Sequence, residues 1–278
     1  MTLQTKGILC PLLFCVILSG SMCVYAESKN PVNSKKSSRY TQLNHFEAIG
    51  ALGIANLRAG NGTIGVTQSE TDKLIQTNSN NWGTFDAQIG AGYVYYFEQR
   101  KHPPKTTQWF PAIEPQLNFY YLNNNTGIKG NIWRFNSPAF NQLTYKIPVH
   151  STRLMLDVAL TVIKKKRSSL YVKGGIGNAW NRLGYSDYDN GGPDITCGDE
   201  RLSLSDATHS HFAWELGVGI LHDFNNHVGL SLEYLYTNFG RVKTSAHGNT
   251  GTITTPVIAP ASFTMQAQTA ALGLHYAL

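Results

Sequence analysis

The chain has 278 residues, of which 42% are hydrophobic and 14% charged, and 23 Lys+Arg against 17 Asp+Glu give a formal charge of +6. Past the N-terminal segment no run of about 18 apolar residues occurs, which excludes transmembrane helices. The basic excess is not a nucleic-acid footprint, because it gathers in an N-terminal stretch (Lys29, Lys35, Lys36, Arg39) and one turn (Lys164 to Arg167).

Lys6, an apolar run from Ile8 to Leu18, and small residues leading to Val24-Tyr25-Ala26 read as a secretory signal, residues 1–26, cut after Ala26. Cleavage would leave 278 − 26 = 252 residues and, without Lys6, a charge of 22 − 17 = +5. Cys10, Cys15 and Cys23 would depart with the signal, and Cys197 alone cannot form an internal disulfide. Residues 27–44, rich in Ser, Lys and Asn and without periodicity, read as a flexible periplasmic lead-in.

Residues 45–278 read as eight strands. The first, FEAIGALGIANL, begins at Phe46 and alternates poorly; residues 58–81 follow as a long polar loop. The second places Phe85, Ala87, Ile89, Ala91, Tyr93, Tyr95 and Phe97 on one face against Asp86, Gln88, Gly90 and Gly92. The third opposes Trp109, Ile113, Leu117, Phe119 and Tyr121 to Glu114, Gln116 and Asn118, although Pro111 and Pro115 each remove a ladder donor. An Asn- and Gly-rich loop spans 123–141.

The fourth strand, about 143–162 with a bend at Pro148, opposes Leu154, Leu156, Val158, Leu160 and Val162 to Arg153, Asp157, Ala159 and Thr161. After a tight turn, LYVKGGIGNAWNRLGY sets Val172, Ile176 and Trp180 against Lys173, Gly175 and Gly177; a third loop covers 186–210. The hairpin FAWELGVGILHDFNNHVGLSLEYLYTNFG supplies strands six and seven, with Phe212, Trp214, Leu216, Val218, Ile220 and Phe224, then Val228, Leu230, Leu232, Tyr234 and Tyr236, on one face and Glu215 and Glu233 on the other. After a fourth loop at 241–261 the last strand alternates Leu272, Leu274, Tyr276 and Leu278 with Ala271, Gly273, His275 and Ala277.

Each apolar face runs about ten residues, the length of a tilted strand crossing a bilayer, and long connections alternate with short ones. Aromatic residues cluster at both ends of these faces: Phe97, Trp109, Phe224 and Tyr276 beside the short turns, and Phe85, Tyr121, Trp180, Phe212, Trp214 and Tyr236 beside the long loops. That two-ended distribution is the girdle of a membrane barrel and is not needed by a soluble β-sandwich. The expected fold is all-β, an eight-stranded antiparallel up-and-down transmembrane β-barrel. LYVKGGIGNAW, the Phe212–Gly240 hairpin and a strand that ends the chain resemble the small outer-membrane β-barrel family of OmpA-type membrane domains. The resemblance implies a fold more than an activity, and the final Leu278 departs from the terminal aromatic by which the assembly machinery recognises such chains.

No enzyme, metal or cofactor signature stands out. DYDNGGPDITCGDE starts like a calcium loop but has Gly191 and Gly198 where oxygen ligands belong, and Thr208-His-Ser-His211 lacks a third partner for a hydrolase. Glu114, Arg153, Asp157, Lys173, Glu215 and Glu233 form an expected interior charge network, with Lys173 bridging carboxylates and Arg153 meeting Glu215. The sequence therefore reads as a non-enzymatic, monomeric protein of a Gram-negative outer membrane, with an envelope role and contact loops. Its expected partners are outer-membrane lipids, lipopolysaccharide (through Lys129, Arg134, Arg182, Arg201, Arg241 and Lys243) and the barrel-assembly machinery. The alternatives are a narrow small-solute or ion channel and a lipid A-modifying enzyme.

Overall fold

The computed structural model describes residues 42–77, 82–99, 106–189, 202–250, 253–257 and 259–278; the signal segment, nearly all of the lead-in, Arg201 and Cys197 lie outside them. In chain order the strands are β1 (His45–Ala59), β2 (Gly62–Gly65), β3 (Thr71–Gln76), β4 (Thr84–Tyr96), β5 (Gln108–Trp133), β6 (Asn141–Lys165), β7 (Ser168–Asp189), β8 (Leu202–Asp223), β9 (Val228–Lys243), β10 (His247–Thr250), β11 (Ile253–Pro256) and β12 (Ala259–Ala277). Eight of them close a ring. β1 pairs with β4 on one side (Ala48↔Ala91) and with β12 on the other (Leu52↔Leu272), while β4 to β9 follow in sequence and β9 returns to β12 (Leu232↔Leu272). Every pairing is antiparallel, and full closure leaves this ring no free edge in the zone that faces lipid.

Alternation decides which side chains face out. On β4, Phe85, Ile89, Ala91 and Tyr95 are exposed, while Asp86, Gln88 and Gly92 are buried. Leu156, Val218, Leu232 and Leu272 carry the same outward apolar surface around the ring. In water so large an apolar belt would aggregate; against hydrocarbon it is the solvated face. The short turns crowd one end: Lys165 pairs with Ser168 across a two-residue loop, and Asp223 pairs with Gly229 across Phe224–Val228.

At the other end the strands run well past the expected limits. β5 continues from Tyr121 to Trp133 through the stretch read as an Asn-rich loop, and β8 begins at Leu202 rather than near Ser210. The reason is an inversion of polarity. Below the upper girdle Leu117, Phe119 and Tyr121 point outward; immediately above it Leu122, Ile128 and Ile132 point inward, and Asn123, Lys129 and Asn131 take the outer face. The same switch puts Tyr145, Ile147 and Val149 of β6, Leu183 and Tyr185 of β7, and Phe263 and Met265 of β12 inside. The apolar core therefore lies beyond the membrane belt, in a water-exposed extension. A search for apolar-outward alternation finds only polar residues there and reads loops.

The first and fourth expected loops are also partly strand. β2 and β3 form a hairpin inserted between β12 and β5 where β1 and β4 have ended, and β10 and β11 add a hairpin to β8. Gly240, at φ +73°, turns β9 away from β8 above Asn238 so that it can follow β12. That conformation is costly for a residue with a Cβ.

The assignment of faces is testable by arginine substitution. Ala91→Arg, Leu156→Arg or Val218→Arg each costs about 2–4 kcal/mol near the midplane, measured as the urea midpoint of refolding into vesicles. Gly92 faces inward, where an added Cβ would run into Oε1 of Glu114, so a substitution there acts by steric conflict.

Candidate functional site

The lumen is stacked in layers. Nearest the short turns, Nδ1 of His275 lies 3.1 Å from Oε1 of Glu47, and Nε2 of His275 is 3.0 Å from Oγ of Ser231. Lys164 pairs with Asp223 at 3.0 Å and donates to the Tyr96 hydroxyl at 3.4 Å. A cavity of about 60 Å³ opens between these groups, lined by Glu47, Glu114, Tyr96, Lys164, Asp223 and His227 among others.

The middle layer turns on Tyr120 of β5, which points inward while its neighbour Tyr121 joins the outer girdle. Its hydroxyl donates to Glu215 at 2.7 Å and lies 3.3 Å from Asp157, and Lys173 donates to it at 3.4 Å. Lys173 pairs with Glu233 at 2.8 Å, and Glu233 also accepts from the Tyr171 hydroxyl. Asp157 accepts from Asn118 at 2.6 Å.

One layer higher, Arg153 is completely buried and pairs with Asp86 at 3.1 Å, which also accepts from Thr269 at 3.0 Å. The guanidinium lies between two rings, 4.4 Å from the Tyr120 centroid and 5.1 Å from that of Phe239.

Of the six expected network residues, Asp157, Lys173, Glu215 and Glu233 meet around Tyr120, Arg153 stands above them, and Glu114 lies in the lower layer. Two expected pairings differ. Arg153 takes Asp86 rather than Glu215, because Glu215 is held by Tyr120 and Thr237. Lys173 reaches one carboxylate directly and the others only through the tyrosine hydroxyl. Tyr120 was missed because the reading sought only charges; its signal was the Tyr120-Tyr121 pair, in which one ring must face inward. Asp86 and His275 were placed on inward faces without being given partners, and Glu47 was hidden by the uncertain register of the first strand.

The ten girdle aromatics all take the outer surface, and Trp214 and Tyr236 meet at 5.4 Å between centroids. Asp187, read as a possible calcium ligand, instead faces inward and accepts the Leu202 amide at 2.7 Å. In Thr208–His211, Ser210 and the two histidines fall on opposite faces of β8, so they form no dyad. Among the described residues no group of three metal-ligating side chains assembles.

These features, a lipid-facing belt with two aromatic girdles around a charged lumen, agree with the family comparison. The model of the outer membrane protein beta-barrel domain matches residues 48–276. The chain belongs to that family. Its members reside in the bacterial outer membrane, with short turns on the periplasmic side and long connections outside. Solved structures similar to this chain include neisserial surface protein A, at 11% identity and a TM-score of 0.40 over 84% of this chain and 97% of that one. OprG from Pseudomonas aeruginosa gives 12% identity and a TM-score of 0.39, covering 86% and 98%. Ail of Yersinia pestis gives 11% and 0.34, covering 84% and 99%. No curated protein sequence matches the chain.

Removing one partner of a buried pair strands the other, at a cost of about 3–5 kcal/mol. Lys173→Met and Arg153→Met should each lower the urea midpoint accordingly, whereas Lys173→Met with Glu233→Gln should recover much of the loss. A double variant no better than Lys173→Met would show that the pair does not act as a unit.

Above the membrane belt, burial raises the carboxyl of Asp187 from 3.8 to about 7 and that of Asp72 from 3.8 to about 6, against the amides of Leu202 and Phe135 that they accept. The folded extension therefore retains protons that the unfolded chain has released, and its stability increases as the pH falls from about 8 to about 5. Amide exchange at Leu202, corrected for intrinsic rate, should slow across that window, and Asp187→Asn should flatten the dependence.

Proposed function

We propose that the protein is a closed, non-enzymatic barrel of a Gram-negative outer membrane, exported through a cleaved signal and seated by the barrel-assembly machinery as a monomer. Its working part is the rigid extracellular extension, used for contact with the cell's surroundings or with neighbouring envelope components. One observation carries this reading: the apolar core from Leu57 and Leu122 to Phe239 and Met265 fills the ring directly above the charged layers. An ion crossing the lumen would have to shed its water both among paired charges and within a dry core. The same core stiffens the extension, since strands packed on buried side chains hold their outer residues in place where bare loops would not.

Ser231, His275 and Glu47 give some support to a second reading, a hydrolase, because a hydrogen bond between serine and histidine and a histidine–carboxylate ion pair follow the order nucleophile, base, orienting acid. Burial of Ser231 argues against it: the lower cavity is lined by Glu47 and not by the serine. These buried groups line up as an ion pair and one hydrogen bond inside the lumen. Lipid A should show identical masses in cells with and without the gene; a gene-dependent change would favour the enzyme.

Planar bilayers test closure directly. The parent should show no unitary conductance, and Lys173→Ala should stay silent because the apolar core remains above the gap. Steady conductance in the parent would overturn the closed reading in favour of a narrow channel.

A further inference from the structure

The extension turns most of its apolar residues inward, yet the connection between β5 and β6 at its far end does the reverse. There the chain makes two short 3-10 turns, Arg134–Asn136 and Pro138–Phe140, and Phe135, Pro138, Ala139 and Phe140 are all exposed. The two phenyl rings meet edge to face, with centroids 5.9 Å apart, and still keep 52% and 46% of their residues' surface open.

Phe135 occupies this place at a conformational cost. Its backbone is left-handed, at φ +54° and ψ +27°, a region that glycine enters freely and that a bulky residue avoids. Asn136 follows at φ +58°. The turn is held by its neighbours: the Phe135 amide donates to Oδ1 of Asp72 at 2.9 Å, Arg134 pairs with Glu70 at 2.8 Å, and the Ser137 amide donates to the Arg134 carbonyl at 3.1 Å. All three contacts would survive with glycine at 135, because none uses the phenyl ring. Folding therefore does not select a phenylalanine here, and strain maintained by the surroundings points to a use for the side chain.

We propose that the Phe135–Phe140 tip inserts into the headgroup layer of a second, anionic lipid bilayer that faces the cell. This rests on the reading of the extension as an outward-facing contact element. Height excludes the protein's own membrane, since the twelve-residue climb from Tyr121 to Trp133 carries the tip roughly 25–30 Å above the girdle for strands tilted about 40°. Area disfavours a folded protein partner: two half-exposed rings offer roughly 200 Å², against about 800 Å² per side in a stable interface. A bilayer needs no such complementarity. The order of side chains also fits one, because behind the phenyl rings come the Trp133 indole and the Lys73 ammonium, 5.3 Å from its centroid. Phenyl rings innermost, then indole and ammonium among the headgroups, is the depth order of an interfacial anchor. Both carboxylates between Gly62 and Gln76 are engaged, Glu70 by Arg134 and Asp72 by the Phe135 amide, and residues 133–141 contain none.

The test mixes the full-length protein, folded in nanodiscs, with vesicles of phosphatidylcholine containing a minor fraction of phosphatidylserine. The parent should bind them at least about tenfold more tightly than Phe135→Gly does, and Phe135→Gly with Phe140→Ser should bind no better than empty nanodiscs. Vesicles of phosphatidylcholine alone should bind about fivefold less than the mixed ones. Because glycine relieves the left-handed strain, the urea midpoint of Phe135→Gly should equal or exceed the parent's, so lost binding cannot be ascribed to lost structure. Unchanged binding in the phenylalanine variants, or a preference of the parent for the uncharged vesicles, would overturn the proposal. Association of parent nanodiscs with one another without vesicles, lost in the same variants, would also overturn it and assign the rings to a second copy. An epitope tag inserted between Asn136 and Ser137 should be detectable on intact cells. Its absence there would refute the outward orientation on which the contact role rests, independently of the vesicle result.

Discussion

A strand of this protein passes through two solvents, and the polarity of its two faces must reverse where they meet. Within the bilayer the outer face can only be apolar and the inner face carries the polar groups; in water the opposite holds. β5 makes the change within two residues, Tyr121 outward and Leu122 inward. The ring permits this because the β5–β6, β6–β7 and β7–β8 ladders run on past the girdle with no register shift at that level, so the same strands serve both zones.

The reversal gives the lumen two fillings. In the membrane zone the interior charges are separated from bulk water, and an unpaired member would be costly. Aromatic hydroxyls and rings reduce that cost: Tyr120 links Glu215, Asp157 and Lys173 through one oxygen while its face receives Arg153. Above, the interior is a conventional hydrophobic core that the membrane zone cannot have. The charged layers tie neighbouring strands together across the lumen, and the apolar layer packs the strands of the outer end on one another.

This division bears on how the protein meets its surroundings. A small barrel with bare loops would present adaptable, mobile connections; here the wall itself projects, with side chains at fixed strand spacing and a hairpin, β2–β3, that braces the tip through Glu70–Arg134 and Asp72–Phe135. Contacts made by such a wall lose less conformational entropy on binding than contacts made by loops.

The membrane zone was legible in the sequence because its physics is local: period-2 alternation, strand length set by bilayer thickness, and aromatics at two levels. Eight strands, their outward faces and the girdle from Phe85 to Tyr276 follow from those rules alone. The extension was not legible, because Leu122, Ile128 and Ile132 among asparagines become a core only when neighbouring strands bring Tyr145, Leu183 and Phe263 opposite them. The ion pairs were half legible for a related reason. Alternation tells which charges enter the lumen, but the closed ring sets which of them share a height, and so Asp86 rather than Glu215 faces Arg153.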